Sequence, residues 1–297
     1  MHSVIDALHK EPLDSDVFVI VFVHGWKHNA VPGDGNVSAF HKLLKRFSKL
    51  ETHVSRISGQ SQGKIFGVYL GWRGSSITLP GIKELTFWER KETAEKVGHG
   101  GVTEVLMRLE QMQKMRNSHD GKGAKNRMHL VVVRHSFGGA LVFSAIAQIL
   151  EGRFVETGGR ADTVTDARSF GDLVVLINPT FEAAQYSTLS DMANERRTYF
   201  PSQRPILVVL TSEADQATGI AFTIGQSLAT IFESDRVVTR TNAVTRQEVE
   251  FDQRQTSITA VGHLAPYRTH YLRAVEVAPQ RMEPTMAEEA IMLSNIG

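Results

Sequence analysis

Apolar residues form two patterns along this chain: short unbroken runs, and single positions that recur at helical spacing. Short unbroken apolar runs are typical of strands that are buried on both faces of a parallel sheet. Such runs occur at 17–23, 64–71, 130–133, 173–177 and 206–210, and we expect a last core strand at 257–261. Between the runs, apolar residues recur at helical spacing, as they do at Phe40, Leu43, Leu44 and Phe47. Strands that alternate with helices predict an α/β fold, in which a mostly parallel central sheet of about six strands carries helices on both faces.

The segments between the runs give the remaining elements. We expect helices at 38–50, with Ser38 as the N-cap, and at 92–115, 137–150, 183–197 and 219–232. The alternating, charged stretch at 236–252 predicts a hairpin or an extended excursion. Since no repeat, low-complexity tract or long linker interrupts the sequence, we expect a single domain over 1–297.

The most informative stretch follows the run at 130–133. It reads Arg134-His135-Ser136-Phe137-Gly138-Gly139 and continues into an apolar segment with helical character. A strand that ends at a serine, followed by a sharp turn and a helix, lifts the hydroxyl out of the sheet edge and directs the helix N-terminus at it. The usual pattern at such a turn is Gly-x-Ser-x-Gly, and Gly138 fits it. Ser136 is therefore a candidate nucleophile, and a simple helix N-cap is the alternative.

Arg134 departs from this pattern because it occupies the position of the first glycine. The turn crowds that position, so the arginine has to extend its side chain away from the turn. Its charge then needs water or a carboxylate. We expect an acidic partner on a neighbouring loop, for which Glu213 is a candidate.

The first apolar run ends in His24-Gly25-Trp26. In hydrolases that work by acyl transfer, a loop after such a strand donates one backbone N–H to the oxyanion, and the residue after the nucleophile donates the other. Trp26 and Phe137 are therefore the candidate oxyanion-hole donors.

Together with two later segments, these motifs resemble the α/β-hydrolase superfamily, and specifically its serine esterase and lipase-like members. The resemblance rests on Phe22-Val23-His24-Gly25-Trp26, His135-Ser136-Phe137-Gly138-Gly139, Thr211-Ser212-Glu213-Ala214-Asp215 and Val261-Gly262-His263. The order of serine, acid and histidine is the one that this fold uses for a catalytic triad. The resemblance spans nearly the whole chain. It implies a three-layer α/β-hydrolase fold that cleaves carboxylic esters through an acyl-enzyme on Ser136.

The resemblance also implies the two partners of the serine. A carboxylate should lie just past the strand at 206–210, where Asp215 matches the spacing of the family better than Glu213, which stays as the alternative. A histidine should follow the last strand. His263 is preferred to His270 there, because the preceding Gly262 suits a tight exit from the sheet. The histidine would take the proton of the serine, and the carboxylate would fix its tautomer.

Apolar residues near these motifs indicate the kind of substrate. Trp26 and Phe181 predict a pocket for an acyl or aromatic ester. The stretch 72–90 mixes apolar residues with polar ones and glycines, and it follows a strand at the edge where α/β sites lie. We expect it to form an apolar flap over the pocket, with a satellite hydrophobic cluster beneath a long loop as the alternative.

Composition limits the partners. With 33 Lys and Arg against 32 Asp and Glu, the net charge of +1 gives no argument for binding nucleic acid or an anionic membrane. There is no cysteine, no His-Glu-x-x-His and no carboxylate cluster with metal spacing, so we expect neither metal nor cofactor. The sequence shows no secretory signal or transmembrane segment. The expectation is a cytoplasmic enzyme whose partner is a small-molecule ester.

A second class of function stays open because fold alone does not fix function. The alternative is a catalytically weak α/β-hydrolase-fold protein that serves in binding or as a scaffold. Arg134 favours this alternative because it stands where an active enzyme usually has glycine. A thioesterase or amidase of the same fold is the nearer alternative.

Overall fold

The computed structural model describes residues 2–11, 15–24, 31, 33–71, 101–119, 127–157, 165–195, 200, 202–215, 237–241, 248–274 and 291–295. The expected flap at 72–90 and the expected helix at 219–232 lie outside these ranges, as does Trp26.

A parallel five-stranded sheet forms the centre of the described structure. Its strands are β1 (Val17–Val23), β2 (Lys64–Leu70), β3 (Met128–His135), β4 (Leu173–Ile177) and β5 (Leu207–Leu210). Their order is β2-β1-β3-β4-β5. The five apolar runs from 17 to 210 are therefore confirmed as parallel strands. The chain moves to one side of β1 to form β2 and then to the other side to form β3. Ligands of open α/β sheets bind at such a reversal, outside the carboxyl ends of the strands.

The helices and the smaller sheets follow the same chain order. The helices are α1 (His2–His9), α2 (Gly35–Ser58), α3 (Thr103–His119), α4 (Phe137–Thr157), α5 (Ala183–Glu195) and α6 (Gln253–Ile258). Two antiparallel pairs join β6 (Val237–Thr241) to β7 (Glu248–Asp252) and β8 (His270–Ala274) to β9 (Ile291–Asn295). The antiparallel β6–β7 pair agrees with the hairpin, one of the two interpretations of the stretch at 236–252, rather than with an extended excursion.

The two faces of the central sheet are packed by different helices. On one face Val21, Val132 and Leu176 are fully buried in the core cluster that includes apolar side chains of α3, α4 and α5. Side chains alternate across a strand, so Phe22 points to the other face. There its ring stacks on Phe40 of α2, with the ring centroids 5.4 Å apart. Parallel strands covered in this way read as continuous apolar runs, which is why the sequence predicted them well.

The strand predicted at 257–261 is wrong. Residues 253–258 form α6, because the Asp252 carboxylate caps the helix by accepting the backbone N–H groups of Arg254 and Gln255 at 2.9 and 3.2 Å. Val261–His263 then form a 3₁₀ turn, and Ala260 and Val261 bury their side chains without joining the central sheet. A sixth parallel strand is therefore not among the described residues.

The start of the helix predicted at 38–50 also needs correction. Helix α2 begins at Gly35, and its N-cap is Asp34, which accepts the N–H of Asn36 at 2.7 Å. Ser38 therefore lies inside the helix. His270, the alternative candidate for the histidine, is the first residue of β8.

A buried ionic network ties α3, α4 and the entry to β4 together. The Glu110 carboxylate accepts the Gly171 N–H at 3.0 Å, Nη2 of Arg153 at 2.5 Å and Nζ of Lys114 at 3.0 Å. Arg153 also donates to the backbone carbonyl of Ser169. Burial by itself would raise the pKa of Glu110, but these hydrogen bonds outweigh it and hold the pKa below its usual value. The carboxylate is therefore ionised in the folded protein and stabilises it.

Removing Arg153, the more buried of the two cations in this network, should destabilise the protein in a pH-dependent way. We expect Arg153→Met to lower the free energy of unfolding by about 3 kcal/mol at pH 7, since it leaves a buried carboxylate poorly compensated. The folded pKa of Glu110 is depressed, so its stabilisation is present above the unfolded pKa and disappears as the pH falls through the folded pKa. The deficit should therefore shrink in acid, as measured by urea unfolding at pH 7 and at acidic pH.

Arg108→Met is the matched control for this experiment. Arg108 also lies on α3 and pairs with Glu104 at 2.8 Å, but both side chains are about half exposed. Its loss should change the unfolding free energy by less than about 0.5 kcal/mol. Equal effects of the two substitutions at pH 7 would contradict the account of the network.

Candidate active site

Ser136 sits at the sharp turn that the sequence predicts between β3 and α4. Its backbone is left-handed, with φ of 56°, a conformation that non-glycine residues rarely adopt. The turn is fixed on both sides: the Ser136 N–H donates to the carbonyl of Ile177 at 2.9 Å, and the Ser136 carbonyl accepts the N–H of Gly139 at 2.6 Å. The side chain is partly exposed. Backbone strain held in place by hydrogen bonds is common at functional sites.

The start of α4 lies very close to the loop after β4. A Cβ atom built on Gly139 would stand 2.8 Å from Cα of Pro179, so only glycine fits there without a shift. Phe137 is the first residue of α4, and the first four N–H groups of a helix lack partners within it. Its backbone N–H is therefore one of the donors at the helix N-terminus that can form hydrogen bonds to a negatively charged oxygen. The side chain of Phe137 and the other expected oxyanion donor, Trp26, are outside the described part of the chain.

The exits of β4 and β5 are joined by Asn178. This residue is also left-handed, with φ of 44°, and its N–H donates to the Leu210 carbonyl at 2.8 Å. Its Oδ1 accepts the N–H of Ser212 at 2.9 Å. The chain then turns at once, because the Asp215 N–H donates to the Ser212 carbonyl at 3.1 Å. The two candidate acids, Glu213 and Asp215, therefore stand on a tight turn directly after β5.

His263 is brought to the same turn by the last described loop. The Val261 N–H donates to the carbonyl of Phe181 at 3.0 Å, and the His263 N–H donates to the carbonyl of Ala260 at 2.8 Å. Between them, Gly262 lies against Thr211 so closely that a Cβ there would stand 2.6 Å from the Thr211 Cβ. The backbone next to the histidine thus packs directly on the exit of β5.

The electrostatics of His263 reflect this placement. Partial burial and the nearby Arg268 guanidinium lower the pKa of His263, while the carboxylates of Asp215 and Glu213 raise it. The net result is a pKa below the usual value for histidine, so the imidazole is neutral at pH 7. A neutral imidazole is the form that can accept a proton.

The structure also places the two alternative residues. His270 is exposed at the start of β8, where its Nδ1 pairs with Oγ1 of Thr269 at 3.0 Å. Glu213 is exposed, whereas Asp215 is partly buried and has the larger effect on the pKa of His263. The geometry around His263 therefore agrees better with Asp215 than with Glu213.

Phe181, predicted to line the pocket, is a core residue. It is fully buried, and its ring lies nearly parallel to that of Phe143, with a centroid separation of 4.3 Å. The prediction failed because Phe181 follows a strand exit in sequence yet turns its ring inward beneath α4. Its backbone still serves the site, since its carbonyl accepts the N–H of Val261.

The side chain of Arg134 was expected to leave the turn and pair with a carboxylate, and the structure shows otherwise. This side chain is fully buried, and none of its three guanidinium nitrogens has a hydrogen-bond partner among the residues that the structure describes. The expected pairing with Glu213 is wrong, because Glu213 is exposed and makes no hydrogen bond to this guanidinium. Met128, Leu130 and Val132 alternate with the outward residues of β3, and Arg134 continues that inward series. This alternation is the signal that could have predicted its burial.

Tyr69, at the same edge of the sheet, was not singled out by the sequence argument. Tyr69 on β2 stacks on the buried His24 that follows β1, with centroids 6.0 Å apart. Burial and the carboxylate of Asp34 raise the pKa of Tyr69 to about 12, although Arg134 acts in the opposite sense. Tyr69 is thus neutral at pH 7 and lies within electrostatic range of Arg134.

Comparison with protein-family models and with curated proteins finds no match to this chain. None of the helices that the structure describes is long and apolar enough to span a bilayer. The function therefore has to be argued from the site.

The contact between Gly262 and Thr211 should be intolerant of a methyl group. We expect Gly262→Ala to lower the free energy of unfolding by about 1–3 kcal/mol, because the new Cβ overlaps Thr211 and forces the two loops apart. Thr211→Gly should restore part of that loss in the double variant. Gly152→Ala is the control: it lies within α4 with open space around it and should be neutral or slightly stabilising. Wild-type stability of Gly262→Ala in urea unfolding would refute this contact.

Proposed function

We propose that this chain is a serine hydrolase that cleaves carboxylic esters, built on a three-layer α/β-hydrolase fold. The observation that carries the proposal is the left-handed Ser136 at the junction of β3 and α4. A serine in that conformation, at that kind of junction, presents its hydroxyl above the sheet and in front of a helix N-terminus. An ordinary N-cap has extended backbone angles, so the simpler reading of Ser136 explains its φ less well.

The placement of the other two groups supports the same proposal. All the strands of the sheet are parallel, so their carboxyl ends lie at one edge. Ser136 follows β3, Asp215 follows β5, and the loop of His263 packs on Thr211 at the end of β5. The order of serine, acid and histidine along the chain is the order of that fold. The sixth strand and the complete hydrolase architecture remain part of the proposal.

In the proposed reaction, Oγ of Ser136 attacks the ester carbonyl carbon while His263 accepts the hydroxyl proton. Asp215 orients the imidazole and stabilises its charged form. The N–H groups of Phe137 and Trp26 bind the oxyanion, and one such donor is worth about 3 kcal/mol in comparable enzymes. The carbon–oxygen bond then breaks, and the departing alkoxide takes the proton from His263. Water, deprotonated by the same histidine, hydrolyses the acyl-enzyme and regenerates Ser136.

A binding or scaffold protein of the same fold is the alternative. The observation that favours it is the buried Arg134 next to the turn, whose guanidinium has no hydrogen-bond partner in the described part of the chain. Thioesters and amides pass through the same tetrahedral intermediate, so a thioesterase or amidase would use the same residues. Short-chain p-nitrophenyl esters separate an enzyme from a binding protein, because only an enzyme releases p-nitrophenol above the rate of the buffer.

Ser136→Ala should abolish hydrolysis of p-nitrophenyl butyrate, with kcat falling by at least about 10³-fold, since the proposed acyl-enzyme forms on the Ser136 hydroxyl. Ser144→Ala on the same helix is the control, because its hydroxyl donates to the Leu141 carbonyl within the helix, at 3.0 Å. It should keep wild-type activity. Activity of more than a few per cent in Ser136→Ala, with a melting temperature like that of the wild type, would refute Ser136 as the nucleophile.

The base and the acid can be assigned with two matched pairs of variants. His263→Ala and Asp215→Asn should each lower kcat far more than they raise KM, because both residues act in the transition state. His270→Ala and Glu213→Gln should change kcat less than about threefold, since both side chains are exposed. Steady-state kinetics on one ester would decide each pair, and a reversed result within a pair would transfer the role to the other residue.

A further inference from the structure

Helix α2 carries a line of large apolar side chains that are exposed. They follow one another at steps of four or three residues, which places them on one side of the helix along most of its length. These residues, called the apolar stripe below, are Leu43, Phe47, Leu50, Val54 and Ile57. Their exposed fractions run from 36% at Leu43 to 72% at Ile57. Single exposed apolar residues are ordinary, but a contiguous group of them marks an interaction site.

The apolar stripe is separate from the face by which α2 packs on the sheet. That face carries the buried Val37, Phe40 and Ser55. Phe40 stacks on Phe22 of β1, with the ring centroids 5.4 Å apart. Since successive residues are about 100° apart around a helix, the apolar stripe lies beside this packed face and is turned outward. The contact with the sheet therefore does not account for the stripe.

Positive charge borders the apolar stripe on its outer side. Helix α2 contains five Lys and Arg but one carboxylate, that of Glu51. Its Oε1 already accepts the Gly63 N–H at 3.0 Å and the Ser55 hydroxyl at 2.7 Å. The five cations are exposed and occupy a sector of about 100° next to the stripe. They are Lys42, Lys45, Arg46, Lys49 and Arg56. The net charge of the whole chain is only +1, so this excess is local to α2.

This combination matches the surface of an anionic bilayer. Apolar side chains of an interfacial helix enter the boundary of the acyl chains, while Lys and Arg extend their aliphatic stems and keep their charges among the headgroups. We propose that α2 binds this protein to membranes that contain anionic phospholipids, with the helix lying flat in the interface. The apolar stripe enters the bilayer, and the neighbouring cations pair with lipid phosphates. This inference does not depend on the proposed esterase activity.

Two other occupants of the apolar stripe fit less well. A second copy packed through the same stripe would bring two sets of five cations together, and like charges across an interface oppose association. A groove in a partner protein holds the apolar face of a helix between two walls. One flank of the apolar stripe is taken by the contact of α2 with the sheet, whereas a flat bilayer needs only the exposed side.

Vesicle sedimentation tests the proposal. The wild-type protein should bind vesicles of phosphatidylcholine mixed with phosphatidylglycerol at least about tenfold more strongly than vesicles of phosphatidylcholine alone. This binding should weaken as salt is added. Phe47→Gln combined with Leu50→Gln should abolish binding, and Lys42→Gln combined with Lys49→Gln should weaken it at least about fivefold. Because all four side chains are exposed, both variants should melt like the wild type.

Met107→Gln combined with Arg108→Gln is the matched control. Met107 is 43% exposed, and the side chain of Arg108 is 50% exposed. This pair also joins an exposed apolar residue to an exposed cation, but it lies on α3. It should bind the mixed vesicles as the wild type does.

A fluorescent label reports insertion directly and does not need the glutamine variants to fold. The chain has no cysteine, so one introduced cysteine can carry a bimane group. On the mixed vesicles, bimane on Phe47→Cys should shift its emission to the blue and be quenched by nitroxide-labelled lipid. Bimane on Met107→Cys should do neither.

The contrary results are equally definite. Equal binding to both kinds of vesicle overturns the anionic partner, and binding that is the same in the α2 variants as in the control overturns the role of α2. Absence of vesicle binding overturns the proposal as well. In that case, a dimer in sedimentation equilibrium that Phe47→Gln with Leu50→Gln dissociates would assign the apolar stripe to contact between copies. Hydrolysis of p-nitrophenyl butyrate is measured without vesicles, so the esterase proposal stands or falls separately.

Discussion

The left-handed backbone of Ser136 is the constraint on which the candidate site depends. A non-glycine residue in such a conformation costs about 1–3 kcal/mol, so the surrounding structure must hold it. Two backbone hydrogen bonds do this, one to Ile177 on the neighbouring strand and one from Gly139 within the turn. The close approach of Gly139 to Pro179 is part of the same arrangement, because a larger residue would separate α4 from the exit of β4.

The exits of three neighbouring elements are linked in series from this point. Asn178 connects the end of β4 to the end of β5, and Thr211 at the end of β5 receives Gly262 from the last described loop. The first link is a hydrogen bond from the Ser212 N–H to the Asn178 side chain, and the second is the close contact between Gly262 and the Thr211 side chain. The fold therefore brings Ser136, Asp215 and His263, which are far apart in sequence, to the same edge of the sheet. The proposed catalysis requires this, because the base must take the proton of the serine while the carboxylate orients the base.

Much of the sheet could be predicted because burial on both faces makes parallel strands apolar throughout. The turn at Ser136 was predictable from its strand, serine and small residues. The prediction of a strand at 257–261 was wrong because Asp252 caps a helix that begins at Gln253. This cap depends on one hydrogen-bonding side chain, which the pattern of apolar residues does not show. The prediction for the Arg134 side chain was wrong for another reason. The crowding of the turn suggested that the side chain points outward, but the alternation of side chains along β3 points it into the core. Phe181 was misjudged because sequence order shows which strand a residue follows, but not which way its ring turns.

The central claim is that Ser136 is a nucleophile activated by its surroundings, and covalent labelling measures this most directly. A fluorophosphonate reacts with an activated serine hydroxyl, and peptide mass spectrometry then identifies the modified residue. The account predicts a single adduct on the peptide that contains Ser136, with labelling slowed strongly when His263 is replaced by alanine. An adduct on a different serine, or no adduct in the folded wild-type protein, would contradict it.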